Sequence, residues 1–344
     1  MVGNPTDPMG AGMPFLGRNK RSMTLNLKTA RGREIFHRLA ADADVVLEGA
    51  RPGVVARLGV DYDTLSKINP RLVYCSLSGY GQDGPYRDRV GHDVNYLGYA
   101  GVLNYCGSEN GPPVLPGVQI ADQGGGALMA AVGILTAVIA REHTGRGQFV
   151  DVAMLDGSYA WNVYHILLQD LSGPPRRGAE QVSGRWPCYS VYETRDGRWL
   201  TIGAYEAHFW ATLCRRFGRE DLIAEQWAEG EKRAEMFRFF RGAFREKTLA
   251  EWMAEIGQLE ICVGPVNTVE ETFTDPQLRH RGMVIEVDTP AGRLRAPGPP
   301  IKLSDTPASI RTPAPKFGAH TDAVLATLGF DAAAIAALRA DGVI

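Results

Sequence analysis

Cysteine is sparse in this sequence and forms no pattern: Cys75, Cys106, Cys188, Cys214 and Cys262 are far apart, and no CxxC occurs. That excludes a disulfide framework and a cysteine-based zinc site. Reduced thiols in a cytoplasmic protein are the expectation. Long apolar runs are also missing. The longest, ALMAAVGILTAVIA at 127–140, falls short of the ~20 residues needed to span a bilayer. It reads as a buried helix in a soluble protein with no membrane partner. Residues 1–27 carry Gly, Pro and charges but no apolar core of a signal peptide. No large excess of one charge exists either: the formal net charge is -2. This argues against nucleic acid as the main partner, yet permits a local basic patch. No P-loop, serine elbow, flavin signature or metal-ligand pair is present, and the glycine run at 124–126 is not GxGxxG. No metal and no permanently bound cofactor is therefore expected.

What the chain does have is an alternation of short apolar segments with helical ones. Residues 29–41 place Ile35, Phe36, Leu39 and Ala40 on one side of a helix. Strands are expected at 43–48, 71–79 and 148–155, with short helices at 53–58 and 62–68 and longer ones at 127–141 and 156–172. Such alternation predicts an α/β domain whose parallel sheet is covered on both faces. Between them, 80–126 is Gly/Pro-rich with little periodicity, and a loop of that length is more often functional than idle. Composition shifts at 172–187, which reads as a linker. Beyond it, period-two alternation around Asp196-Gly197 predicts a hairpin. Helices follow at 206–217, 231–245 and 248–256, then short strands within 283–303 and a helical tail at 318–340. The second part thus reads as a smaller α+β domain.

Three acid–base positions stand out. GHDVNY at 91–96 sets His92 in the long loop. It is either a general base, since imidazole titrates near neutrality, or a polar loop residue capping a backbone group. In ADQGGGALMAA (121–131), Asp122 precedes three glycines and an apolar helix. Glycines admit a close approach to the backbone, and a helix N-terminus can hold an oxyanion. The plainer reading is that Asp122 only caps the helix. Glu206 lies where hairpin gives way to helix, a place where an acid ordinarily complements the helix dipole. The basic segments GRNKRS (17–22) and RPGVVAR (51–57) either contact phosphates or are solvated charge.

Several segments occur in an order that resembles the class III CoA-transferase family, which includes the α-methylacyl-CoA racemases. They are GRNKRSMTLNLK (17–28), EGARPGVVARLGVDYDTL (48–65), LVYCSLSGYGQDGPY (72–86), GHDVNYLGYAGVL (91–103), ADQGGGALMAAVGILTAV (121–138), HTGRGQFVDVAMLDG (143–157), GRWLTIGAYEAHFWATLC (197–214), GPVNTVEETFTDPQLRHRGMVIEV (264–287) and APGPPIKLSDTP (296–307). The resemblance implies a Rossmann-like large domain (1–180 with 305–344), a linker at 172–187 and a small α+β domain (187–304). It implies a coenzyme A thioester as substrate and an interlocked homodimer whose active sites draw on both chains. Racemases of the family carry a GHD-N-Y motif, an Asp before a glycine-rich turn and a Glu in GA-x-E. These match His92, Asp122 and Glu206. Transferases use the Asp at position 122 as a nucleophile and tend to carry a glycine-run loop where this chain reads SGRWPCY (183–189). The resemblance therefore implies the racemase branch, with transferase as the alternative and a non-catalytic CoA-binding protein as a third reading. Arg51, Arg57, Arg21 and Lys20 are the implied phosphate contacts. The enolate oxygen of the racemase reading would sit at the open N–H groups after Asp122, with Gly124 and Gly125 among the residues that bind the CoA substrate. Members usually begin with a strand–helix unit ahead of the GNP segment at 3–5, which implies that the gene starts further upstream, that the chain is a fragment, or that the sheet lacks that element.

Overall fold

The structure, a computed structural model, describes residues 13–289 and 292–344. The GNP segment and the rest of 1–12, expected to be irregular, lie outside the described residues, and Met13–Leu16 form one helical turn. Helix α1 (Ala30–Ala41) starts at Thr29, whose hydroxyl accepts the Gly32 N–H at 3.0 Å. Strand β1 (Val45–Glu48), a turn at Val54–Arg57, helix α2 (Tyr62–Ile68) and strand β2 (Val73–Ser78) follow. Helix α3 (Asp93–Tyr99) leads by way of a 3₁₀ turn to a π-helix, Ile120–Leu128, which continues into α4 (Met129–Thr144). Then come β3 (Phe149–Ala153), α5 (Met154–Ala160), α6 (Val163–Ser172), β4 (Tyr189–Glu193) and β5 (Trp199–Gly203). Helices α7 (Ala207–Arg216), α8 (Gly230–Phe244) and α9 (Leu249–Ile256) precede strand β6 (Val263–Pro265). The hairpin β7 (Val284–Thr289) and β8 (Gly292–Pro297) and helices α10 (Thr321–Thr327) and α11 (Ala332–Ala340) complete the chain.

These elements fall into two compact units. The first comprises residues 45–54 and 73–266. Its parallel sheet has the order β1-β2-β3, with Val45 opposite Val73 and Tyr74 opposite Phe149. β2 is central and nearly all buried, as an unbroken VYCSLS run requires of a strand covered on both faces. The same unit holds the antiparallel sheet β4-β5-β6. Against it, α7, α8 and α9 close a core of Tyr192, Trp210, Leu213, Phe240, Phe244 and Trp252. The two buried indoles are satisfied: Trp210 donates to Leu222 O at 2.9 Å and Trp252 to Phe244 O at 2.7 Å. The hairpin turns at Gly197, which has φ +69°, a value glycine adopts without strain.

The segment read as a linker is not a free spacer. Trp186 and Cys188 enter the aromatic core. Arg177 Nε donates to Asn104 O at 2.8 Å, and another of its guanidinium nitrogens donates to Gly111 O.

The second unit comprises the residues up to Asp44, 55–72 and 267–344. Ile35 of α1 packs with Leu325, Phe330, Ile335, Leu338 and Val343 from the last helices. Asn69 ties α2 to the end of α1 through Nδ2 donation to Ala40 O and Ala43 O. Residues 290–291, at the tip of the β7–β8 hairpin, lie outside the described residues.

Candidate active site

The long segment after β2 is more ordered than its composition suggests. His92 sits at the N-cap of α3 in an extended conformation (φ -128°, ψ 174°) and is exposed. Asn95 Oδ1 accepts the His92 backbone N–H at 3.0 Å. The two residues form a capping box at the helix start, and the Asn95 N–H also reaches the His92 carbonyl at 2.8 Å.

One turn on, Tyr96 is buried and donates its hydroxyl to Gly91 O at 2.6 Å. Its ring lies edge-on to Tyr80, with centroids 5.1 Å apart. A side chain at Gly91 would collide with both tyrosines, which explains the glycine ahead of the histidine.

Asp122 lies in the first turn of the π-helix rather than before an α-helix. The sequence expectation of a helix beginning at 127 is corrected here: the helical run is continuous from Ile120 to Thr144. By length and composition that run could cross a membrane. Its start packs against α5, but Leu128, Val132, Leu135 and Ile139 are exposed in this chain, which corrects the expectation of a buried helix at 127–140.

Asp93 links the two helix starts. Its Oδ2 accepts the N–H of Ala121 at 2.7 Å and of Asp122 at 3.1 Å. A carboxylate on the leading N–H groups of a helix satisfies donors that otherwise have no partner and complements the dipole. The N–H that follows Asp122, on Gln123, donates to Gln119 O at 3.1 Å. The expectation that the N–H groups following Asp122 stand open as an oxyanion site is therefore corrected at its first member, which is already bonded.

The glycines have a structural use. A Cβ on Gly125 would come within 2.9 Å of Met154 O and of Ser158 N, and a Cβ on Gly157 would fall on Gly125 O. The close approach expected of a ligand at Gly125 is thus made by helix α5. Gly124 has room, its nearest neighbour being the Trp161 indole at 3.6 Å from an added Cβ.

The electrostatics join His92 to Asp122. Burial pushes the Asp122 carboxyl above the usual carboxylate range, the Asp93 charge adds to the rise, and His92 opposes it. The Tyr96 phenol is raised by burial first, then by Tyr80 and by Asp122, so it belongs to the same cluster. Two more carboxylates, Asp151 on β3 and Asp156 on α5, are also raised by burial. Sequence reasoning singled out neither of these, nor Asp93 and Tyr96. The signal for the latter pair was in GHDVNY: residues 93 and 96, three apart, share one helix face.

Glu206 is elsewhere in the unit. It occupies the N-cap of α7, exposed, with its carbonyl accepting the Trp210 N–H at 3.1 Å and no cap bond from its side chain. The charges that act on Asp122 are those of Asp93 and His92. Within one chain, then, His92 and Asp122 are brought together, and nothing brings Glu206 to them. The basic residues divide between the units. Arg51 belongs to the first, and Arg57, Arg21 and Lys20 to the second. Arg51, Arg57 and Arg21 are exposed, and Lys20 donates to Leu16 O at 2.7 Å. No cluster of three or more His, Cys, Asp or Glu among the described residues could hold a metal ion.

Comparison with known proteins places this geometry in context. The sequence model of CoA-transferase family III matches residues 2–321. An acyl-CoA transferase of Fusarium pseudograminearum is 38% identical, over 96% of this chain and 74% of its own length. The mouse α-methylacyl-CoA racemase is 36% identical, over 97% of this chain and 87% of its own. Human succinyl-CoA:glutarate CoA-transferase is 31% identical, over 97% and 80%. Among solved structures, a CaiB/BaiF family protein from Brucella suis superposes with a TM-score of 0.79 at 31% identity, covering 94% of this chain and 87% of its own. With a family match across nearly its whole length and relatives of both activities, the chain belongs to CoA-transferase family III and is an enzyme of its racemase or CoA-transferase kind.

Proposed function

We propose that the protein is an acyl-CoA racemase or epimerase that inverts the α-carbon of a 2-methylacyl-CoA. The observation that carries this reading is the pairing of an exposed imidazole, His92, with a carboxyl of raised affinity for protons, Asp122. Inversion needs one base to take the α-proton from one face and a second group, protonated, to return a proton to the other. The electrons left on the α-carbon delocalise into the thioester carbonyl as an enolate, and reprotonation restores the C–H bond. The two groups end with exchanged protonation states, so the reverse direction uses the same pair. A well-placed acid–base group contributes on the order of 10²–10⁴-fold. Glu206 is the proposed orienting carboxylate for His92, delivered from the second chain of an interlocked homodimer. Its exposure and unused carboxyl support a role outside its own helix. An exposed apolar stripe on α4, with Leu128 just ahead of it and then Val132, Leu135 and Ile139, supports an assembly that covers part of this chain. Coenzyme A enters as part of the substrate, with Arg51, Arg57, Arg21 and Lys20 proposed for its phosphates. The proposed layout assigns CoA to a large domain of 1–180 with 305–344, and a small domain to 187–304.

The transferase relatives support a second reading. In it the Asp122 carboxylate attacks the thioester carbonyl, the C–S bond breaks, CoA thiolate leaves and a mixed anhydride forms. The two readings part on one experiment: incubation of a 2-methylacyl-CoA in D₂O without any acceptor acid. Racemisation predicts α-deuterium incorporation, slowed about 10²–10⁴-fold by His92→Ala. Absence of exchange with the intact enzyme over several acyl chains, together with a hydroxylamine-trappable adduct on Asp122, would establish the transferase instead.

A further inference from the structure

Of the three tryptophans buried among the described residues, Trp210 and Trp252 give their indole N–H to backbone carbonyls, and Trp186 does not. The Trp186 side chain belongs to a residue only 6% exposed, and its Nε1 has no hydrogen-bond partner. The residue before it repeats the feature. Arg185 Nε is buried without a partner, although other nitrogens of the same guanidinium donate to Glu229 and, at 3.4 Å, to Ala179 O. Buried donors in folded proteins nearly always find an acceptor, so two adjacent open ones require an account. Both residues line one cavity of the first unit, with a volume of about 320 Å³. The indole is held in place there: Trp227 meets it edge-on with ring centroids 5.4 Å apart, and the Arg185 guanidinium lies over its ring at 4.9 Å.

Helix α6 gives one face to this cavity. Tyr164, Leu168 and Ser172 follow one another at a spacing of four, and at 1.5 Å per residue that face runs about 12 Å. The helix sets out from the turn that carries Asp122. The Trp161 indole lies beside Gly124, Asn162 Nδ2 donates to Ala100 O at 3.1 Å, and His165 stacks on Tyr105 with centroids 3.9 Å apart. A chain leaving the Asp122 turn along α6 therefore arrives at the two open donors. Charge does not mark the cavity for an anion. Arg185 is paired with Glu229 and Arg176 with Glu109 at 3.7 Å, while Glu180 puts a carboxylate on the lining. An uncharged oxygen accepts from an indole and a guanidinium N–H without meeting repulsion from Glu180.

We infer that this cavity selects acyl groups bearing an uncharged acceptor oxygen, a ketone or a hydroxyl, far from the thioester, and that Trp186 and Arg185 are the specificity-determining donors. The inference rests on the acyl-CoA reading for the identity of the ligand, but its test does not require turnover. Over a series of chain lengths, plain acyl-CoAs and their counterparts with a terminal oxo group or a terminal carboxylate are titrated calorimetrically into the enzyme. A plain chain leaves both donors unpaired, so at the length that reaches them the oxo chain should bind about tenfold tighter or more. Trp186→Phe keeps the ring and removes the N–H. It should abolish that preference while leaving the plain chain nearly unchanged, and in the exchange assay it should raise KM for the oxo chain and keep kcat. Ser172→Trp, at an exposed position, puts bulk into the cavity without disturbing the core and should also abolish the preference. It decides the matter if Trp186→Phe does not fold. The inference is overturned if no oxo chain in the series is preferred, or if Trp186→Phe weakens plain and oxo chains equally, which would leave the indole a packing role alone. Tightest binding of the terminal carboxylate would overturn it too, by making the cavity an anion site. If the enzyme catalyses no exchange while the preference and its dependence on Trp186 persist, the racemase reading fails and the acyl selection stands.

Discussion

Asp122 sits between two charges of opposite effect, and that balance is open to measurement. Its carboxyl is raised by burial and by Asp93 and lowered by His92. In its proposed role as a base it must be deprotonated, so the acid limb of a pH–rate profile should lie above that of an ordinary carboxylate. Removing a like charge lowers a carboxyl pKa, and removing a neighbouring cation raises it. Asp93→Asn should therefore move the acid limb of kcat/KM for α-proton exchange to lower pH, while His92→Gln moves what activity remains to higher pH. Asn retains an oxygen to accept the Ala121 and Asp122 N–H groups, so the first variant tests charge with little loss of the bridge. A limb that stays in place in Asp93→Asn would remove Asp93 from the electrostatics of the site. At this scale the sequence made the titrating residues legible and their supports illegible. His92 and Asp122 are residue types that announce acid–base chemistry. Asp93 acts by accepting N–H groups 28 and 29 positions away, and no local pattern encodes such a contact.

At the scale of elements, periodicity located what was long or strictly patterned. The parallel strands, α1, α2 and the hairpin around Gly197 stand within a few residues of their expected places. The region between β2 and α4 was misread as loop because its helices are short or interrupted by glycine. α3 spans seven residues, and the π-helix contains three consecutive glycines. Glycine weakens a helical signal in sequence because it costs the helix about 1 kcal/mol relative to alanine. In the fold that cost is offset by contact, since Gly125 and Gly157 meet backbone to backbone. π-turns recur at functional sites, and this one sets the pitch at which Asp122 is presented. Gly157→Ala, whose Cβ would fall on Gly125 O, should destabilise the first unit by about 1–3 kcal/mol through overpacking. It should also lower the exchange rate, by shifting the turn that carries Asp122. Urea denaturation measures the first effect. A variant as stable as wild type would show that the two helices separate readily, and the glycines would then need another explanation.

Over the whole molecule, the described ends of the chain return to each other inside the second unit. Ser22 N–H donates to His320 Nδ1 at 3.1 Å, Thr24 N–H to Thr321 Oγ1 at 3.0 Å and Asn26 N–H to Val343 O at 2.8 Å. The same closure fixes α1 on the last helices, so this core depends on residues almost three hundred positions apart. Leu325 is fully buried at the centre of this closure, packed with Ile35 and Phe330. Leu325→Ala removes a fully buried side chain from a core whose other members are fixed by helix geometry, and such losses cost about 2–5 kcal/mol. Hydrogen exchange followed by mass spectrometry locates the loss. Amides of α1, α10 and α11 should lose protection together, since they share one core. Those of β4, β5 and α8 draw on the separate aromatic core of Trp210, Phe240 and Phe244 and should keep theirs. Equal loss of protection in both cores would mean that the two units unfold as one, and the local reading of this closure would be wrong.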